Sequence, residues 1–317
     1  MKKNNPSLVT RNRKTGKLSV VLATFNEEKN IGECLKSCKD IASEIIVVDE
    51  YSTDKTREVA EGYGAKVFLE KHHPIFHITK QKAIEKATGD WILQLDADER
   101  VTPELAKEIK AVVSSDGGTP RGWPKGKKTP RRWLNGLPRG GNKQKLFLRH
   151  QELIEQRDGP IGKKTGEVVA FFIPRRNMFL GKPLIHAGVY PDGVIRLIKK
   201  GKAGFPQKSV HEQIQIDGEV SWLFNDLEHH DSPTLKRYFI RMNRYTDLHA
   251  KELEAKRVAK NLIAFAYYSF YKPLTTFLNL FIRHKGFLDG VRGFLWSFFS
   301  AMHYPIAYFK YITNKIQ

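Results

Sequence analysis

The chain holds little cysteine: two in 317 residues, Cys34 and Cys38. Two thiols four residues apart, with no further ligand cluster, exclude a structural zinc module and a disulfide framework. They fit buried free thiols in a reducing compartment. Acidic residues are also scarce, 34 against 54 Lys and Arg, giving a formal charge of +20 at pH 7. That excess demands a partner of negative charge: nucleic acid, an anionic membrane face or an acidic substrate. Long apolar runs are missing. The longest stretch without Lys, Arg, Asp or Glu is 293–309, interrupted by Pro305. It falls short of the about 20 residues that a spanning helix needs. Residues 1–17 are basic and polar, without an apolar centre of signal-peptide length, and read as a flexible leader. Zinc-finger spacing, an aromatic ribonucleoprotein signature and a basic recognition helix are all absent, which leaves a nucleic-acid binder supported by charge alone.

What the chain does have is strand–helix alternation with short connections. Residues 18–23 form an apolar run of strand length, and 24–28 turn into a helix with Ile31 and Leu35 facing inward. A second strand, 44–48, ends in Asp49-Glu50-Tyr51-Ser52-Thr53-Asp54, where Ser52 or Thr53 is expected to cap a helix over 55–62. A short strand at 65–68 and a helix at 78–87 follow. The turn at 88–90 then leads through Trp91-Ile92-Leu93-Gln94-Leu95 into Asp96-Ala97-Asp98. This pattern predicts an α/β fold, a mostly parallel sheet with helices on both faces. Ligands of such sheets bind beyond the carboxyl ends of the strands. Thr24, Asn26, Asp49 and Asp96 all fall there. Asp96 and Asp98, spaced i, i+2 after a buried strand, suit one divalent Mg²⁺ or Mn²⁺ ion bridging to a diphosphate, since hard cations take oxygen ligands.

The blocks 20–27, 47–56 and 95–99, with their spacing, resemble the family 2 glycosyltransferases. Further motifs are similar to the lipopolysaccharide core glucosyltransferase-like branch: Pro174 to Gly181, Gly188 to Asp192, Ile195-Arg196-Leu197, Val210-His211-Glu212 and Gly286 to Gly290. The resemblance implies a GT-A (Rossmann-like) fold and inverting transfer of a hexose from a nucleotide-diphosphate sugar, with uridine diphosphate as the carrier. Thr24 and Glu27 would then line the nucleoside pocket, and Asp49, with Glu50 beside it, would contact base or ribose. Asp98 would be the main metal ligand, with Asp96 at the ribose or reaching the metal through water. Arg196 would sit near the diphosphate. Glu212 would be the general base, kept ionised by Lys208 and His211 nearby. Asp192 is the second candidate and His211 the third.

Other features have plainer readings. His72, His73 and His77 lack supporting ligands and are taken as a loop lining the donor site. His229 and His230 are placed at a helix start, as structural or acceptor-facing groups. Residues 115–170 depart from the family pattern. Their stretch 116–128, rich in Gly, Pro and Lys, reads as a mobile basic loop. Domains are expected at 1–17 (leader), 18–230 (catalytic, with the insertion) and 231–317 (C-terminal amphipathic helices). In the last, apolar clusters alternate with Arg283, His284, Lys285, Arg292 and Lys310. That mixture suits a membrane-associating region at an anionic surface, here the cytoplasmic face of an inner membrane, beside a glycan or lipid-linked acceptor. A polyprenyl-phosphate sugar transferase is the alternative enzyme.

Overall fold

β1 (Leu18–Thr24), β2 (Glu44–Asp49) and β4 (Trp91–Leu95) are almost wholly buried along their length, as parallel strands between helical layers must be. With β3 (Lys66–Leu69) they form a parallel group in the order β3-β2-β1-β4. The structure, a computed structural model, describes residues 16–73, 75–115, 142–206 and 214–313. Successive strand side chains point to opposite faces. Val20, Leu22 and Val47 pack with Ile31 and Leu35 of α1 (Ile31–Cys38), Ala60 of α2 (Thr56–Gly62) and Ile109 of α4 (Pro103–Ser114). Val21, Ile46 and Val48 face the other layer, with Ala83 of α3 (Phe76–Lys86) and Phe147 of α5 (Asn142–Asp158). Helices thus cover both faces, as the sequence predicts.

Beyond β4 the sheet changes direction. β8 (Asp192–Lys199) runs antiparallel to β4, and β6 (Val168–Phe179) antiparallel to β8. β12 (Leu227–Ser232) is parallel to β6 and antiparallel to β5 (Glu99–Val101). β7 (Lys182–Pro183) and β11 (Glu219–Trp222) also pair with β6, while β9 (Ala203–Gly204) and β10 (Gln215–Ile216) form a separate ribbon. The sheet is therefore parallel in its first half and mixed in its second. These directions bring the start of β8 and the later parts of β6 and β12 to the same edge as the carboxyl ends of β1, β2 and β4. One irregularity sits on β8. Phe171 pairs with Leu197 and Phe172 with Ile195, so Arg196 is the extra, unpaired residue of a bulge.

Several local expectations change. Neither Ser52 nor Thr53 caps α2. The Ser52 hydroxyl donates to Asp49 and Thr53 donates to Asn26, while Asp54 Oδ1 accepts from the Thr56 amide at 3.0 Å. His229 and His230 lie on β12, not at a helix start; the next helix, α6 (Leu235–Ala255), is capped by Thr234. Within 115–170, residues 142–158 are helical and Phe147 is fully buried, so that part belongs to the core. The basic loop at 116–128 lies outside the described residues.

The C-terminal part is helical. α7 (Leu262–Ala266), a π-helical turn over Tyr267–Tyr271, α8 (Lys272–Leu278) and a second π turn over Asn279–Arg283 follow one another without a break. After a 3₁₀ turn at Gly286–Asp289, α9 (Val291–Ile312) returns along them. Gly286 and Gly293 allow the close crossing, because a Cβ on Gly293 would collide with the Gly286 carbonyl. No helix among the described residues is long and apolar enough to cross a membrane.

Candidate functional site

The first wall of the site is the loop after β1 interlocked with the loop after β2. Register sets Thr24 beside Asp49. The Asp49 carboxylate is fully buried and accepts from Thr24 Oγ1 at 2.9 Å, from the Ser52 amide at 2.7 Å and from Ser52 Oγ at 2.6 Å. Asn26 has a positive φ of 56° and is exposed; its Oδ1 accepts from the Thr53 amide at 2.9 Å. Glu50 is buried, accepting from Thr79 Oγ1 and facing His72 Nδ1 at 2.6 Å. Of the other histidines, His73 pairs with Glu70 and His77 stacks on Phe205. Glu27 is half-buried and takes a hydrogen bond from Asn30 at 2.7 Å. Burial pushes its carboxyl up, and the charges of Asp98 and Asp96 push the same way.

The second part is a charged cluster beneath the turn after β4. Asp96 takes Lys80 Nζ on Oδ1 and Arg196 Nη2 on Oδ2, both at 2.5 Å. Burial alone would raise its carboxyl, but Arg196 and Lys80 outweigh it and hold it well below the ordinary carboxylate range. Lys80 is itself buried, and desolvation lowers its amine. Arg196 also donates to Gln94 and to Glu99 Oε1, at 2.7 Å from Nη2 and 3.2 Å from Nε. Glu99 has no exposed surface; its Oε2 accepts from the Asp96 amide at 2.9 Å. The Cys34 thiol, buried and pushed well up by that burial, donates to the Asp96 carbonyl at 3.5 Å. The expectation of buried thiols is met at both cysteines.

The third part joins the two halves of the sheet. Cross-strand register sets His229 opposite Asn177 on one side and Glu99 on the other, and Arg175 opposite Asp192. His229 Nε2 lies 3.6 Å from Asp98 Oδ2, while its Nδ1 is 2.6 Å from Asn177 Oδ1. Asn177 Nδ2 donates to Asp192 Oδ2 at 3.0 Å. Arg175 clamps that same oxygen from Nε at 2.8 Å and Nη2 at 2.6 Å, and reaches Glu99 at 3.4 Å. A continuous polar path thus runs from Asp98 to Asp192 and back to Asp96. Burial would raise both Asp98 and Asp192; His229 outweighs it at Asp98, and Arg175 with Asn177 at Asp192, so both stay low and ionised.

The structure therefore brings Glu27, Asp96, Asp98, Asp192 and Arg196 to one edge, with Thr24 and Asp49 ending β1 and β2 and Asn26 and Glu50 in the loops after them. Asp49 and Arg196 are committed to internal partners rather than turned outward. Glu212 and His211 lie outside the described residues. Sequence reading missed Lys80, Arg175, Asn177 and Glu99, and placed His229 elsewhere. Arg175 and Asn177 lie within 174–181 and Glu99 within 95–99, segments that carry the family resemblance without assigning these residues a role.

Among the described residues no three His, Cys, Asp or Glu side chains converge as a metal cage. A hard cation needs only one or two protein ligands when phosphate supplies the rest. Asp98 with His229 fits that smaller set. With Nδ1–H donated to Asn177 Oδ1, the ring points Nε2 at the Asp98 carboxylate, where it donates when protonated and offers a lone pair to an ion when not. Asp96, already neutralised by two cations, does not fit as a direct ligand.

Residues 19–155 match the model described as glycosyl transferase family 2. An uncharacterised glycosyltransferase of Rickettsia bellii is 42% identical over 103 residues, 32% of this chain and 34% of that protein. The SPbeta prophage-derived glycosyltransferase SunS of Bacillus subtilis is 37% identical over 94 residues, 29% of this chain and 22% of that protein. The match thus spans about a third or less of those relatives' own length. Among solved structures, Mycobacterium tuberculosis glucosyl-3-phosphoglycerate synthase, in complex with Mn²⁺ and uridine-diphosphate-glucose, is 24% identical. That match covers 32% of this chain and 39% of the other, with a TM-score of 0.27. S. aureus TarS is 17% identical, covering 87% of this chain and 46% of the other, with a TM-score of 0.36.

Proposed function

We propose, on the premise that residues 19–155 are a family 2 glycosyl transferase domain, that the protein moves a hexose from a nucleotide-diphosphate sugar to an acceptor hydroxyl with inversion. The observation that carries this reading is the path from Asp98 through His229 and Asn177 to Asp192, because it joins an ion-binding end to a second ionised carboxylate. The loops holding Thr24, Asn26, Glu27, Asp49 and Glu50 form the nucleoside side. There Asp49 acts by fixing the loop through Thr24 and Ser52 rather than by reaching out.

Asp98 and His229 would hold a divalent ion, which when bound stabilises the charge growing on the leaving diphosphate. Lys80 and Arg196 neutralise Asp96 and pin the turn that carries Asp98. The acceptor hydroxyl must lose its proton to a carboxylate that is ionised and apart from the ion. Two residues compete for that role. Glu212 is favoured by its sequence context. Asp192 is favoured by position: Arg175 and Asn177 occupy Oδ2, and among the described residues Oδ1 carries no hydrogen bond. Uridine diphosphate is the carrier we favour, with guanosine diphosphate as the alternative. The acceptor we favour is a glycan or glycolipid of the cell envelope, as in lipopolysaccharide synthesis.

Calorimetry of UDP and GDP with and without Mn²⁺ tests the donor site. Metal-dependent binding of one nucleotide, lost in Asp98→Ala, is the expected result. Binding that ignores both metal and mutation would overturn the reading, as would no binding at all. Glu212→Gln and Asp192→Asn then separate the bases. The true base keeps nucleotide binding and loses transfer by about 10²–10⁴-fold.

A further inference from the structure

The helical hairpin at 262–312 has an outer face that no element among the described residues covers. On its first arm Ile263, Tyr267, Phe270, Leu274, Leu278 and Ile282 are all exposed, Ile263 at 81%. Their spacing of three and four residues puts them on one stripe of a continuous helix. On the returning arm Val291, Phe294, Phe298 and Phe309 repeat the pattern, Val291 at 75%. Phe294 packs against both Phe277 and Phe281, so the stripes meet in one sheet of aromatic and aliphatic side chains. Each arm has 22 residues, or about 33 Å of helix. An apolar surface of that length far exceeds the scattered exposure usual on a soluble domain.

Charge selects the occupant. Residues 258–313 contain six Lys or Arg, of which Lys310 pairs with Asp247 of α6 at 2.7 Å, and a single acid, Asp289. Asp289 faces the protein, accepting from the Ile185 and His186 amides at 3.2 and 2.8 Å and pairing with the His186 ring at 3.0 Å. Arg283 and Lys285 are exposed at the turn of the hairpin, beside exposed Phe287 and Leu288. A second copy of this face would bring cation against cation. An anionic lipid surface takes both components: acyl chains meet the stripe and headgroups meet the cations.

We propose that this hairpin lies in the headgroup–acyl boundary of an anionic phospholipid bilayer, embedded along its outer face and not crossing it. The hairpin's turn is bonded to the loop that leads into β8. Ala187 N–H donates to the His284 carbonyl at 2.9 Å, and Gly188 packs on the His284 ring. Docking therefore fixes the start of β8, where Asp192 stands, relative to the lipid surface.

The inference is independent of glycosyl transfer. The test is flotation of the full chain with phosphatidylcholine vesicles, with and without phosphatidylglycerol, alongside light scattering of the free chain. The chain should float with the phosphatidylglycerol vesicles and only weakly with neutral ones. Ile263→Asp/Phe270→Asp/Leu274→Asp should cut the bound fraction by at least about tenfold. Asp98→Ala, deficient in nucleotide binding, should float as the unaltered chain does. Should the triple variant fail to fold, Arg283→Glu/Lys285→Glu should abolish the preference for phosphatidylglycerol instead. Three results overturn the proposal: no flotation, equal flotation of the folded variants, or a dimer that the triple variant converts to monomer.

Discussion

Replacing Arg196 with leucine tests whether the cluster under Asp96 is a structural lock. The guanidinium gives Asp96 a contact at 2.5 Å and Glu99 two at 2.7 and 3.2 Å, and it also bonds Gln94. Asp96 keeps Lys80 and some solvent after the change. Glu99, with no exposed surface, keeps among the described residues only Arg175 at 3.4 Å and the Asp96 amide. Breaking a buried pair by removing one partner costs roughly 3–5 kcal/mol, and the surviving contacts argue for the lower end, about 3. At about 2–4 °C per kcal/mol for a domain of this class, the melting temperature should fall by ~6–12 °C. Urea and thermal unfolding at neutral pH measure it. The pH dependence has a definite sign. Asp96 has a folded value depressed below its unfolded one, so its contribution is present above the ordinary carboxylate range and lost as pH falls through the folded value. The gap between Arg196→Leu and the unaltered chain should therefore narrow on acidification. A loss below about 1 kcal/mol, the range of exposed pairs, would refute the lock. So would a gap that widens in acid.

Two further outcomes follow from the same geometry. His229→Ala should weaken Mn²⁺ binding by at least about tenfold, and Asn177→Ala should act in the same direction but less, since it only orients the ring. Unchanged affinity in a metal titration would remove His229 from the ion site. His303, beside His249 at 3.0 Å, is pushed by burial and by that neighbour from 6.5 down to about 4. A histidine with a depressed folded value contributes stability that is full above its unfolded value and is lost as pH falls toward the folded one. Protection factors for hydrogen exchange in 291–312, taken relative to the intrinsic rate at each pH, should therefore fall between pH 6.5 and 4, and His303→Phe should flatten the change.

The parallel half was legible because its signals are local. β1 and β2 are apolar runs that end in polar residues, and one face of α1 repeats at helical spacing. Asp96 and Asp98 stand out as carboxylates directly after a buried strand. The other half of the site depends on pairing between segments far apart in the chain. Nothing in the neighbourhood of Asn177 announces that it will lie opposite His229, or that Arg175 will lie opposite Asp192. The resemblance sets Arg196 near the diphosphate, but its direction was not legible, because that is set by Glu99 and Gln94. Ser52 failed as a helix cap because its Oγ accepts from the Asn26 amide at 2.8 Å while its hydroxyl donates to Asp49 at 2.6 Å, and α2 begins only at Thr56. The helix at 142–158 was masked by the Gly- and Pro-rich composition before it, although Phe147 and Ile154 repeat on one face.

The bulge at Arg196 acts as a phase shifter. On a regular strand, residues three apart face opposite ways, yet Val194 and Leu197 serve one core layer while Ile195 and Ile198 serve the other. Everything before residue 196 is therefore turned over relative to everything after it. Substituting Arg196 removes a charge and leaves that inversion in place. Deleting it would remove the bulge and leave plain alternation with the same facing, so Asp192 would stay on Arg175's side; pairing residue 196 into the ladder instead would carry Asp192 to the opposite side of the sheet. The bulge thus lets one charged side chain be inserted between two core-facing runs without moving the second carboxylate through the plane of the sheet.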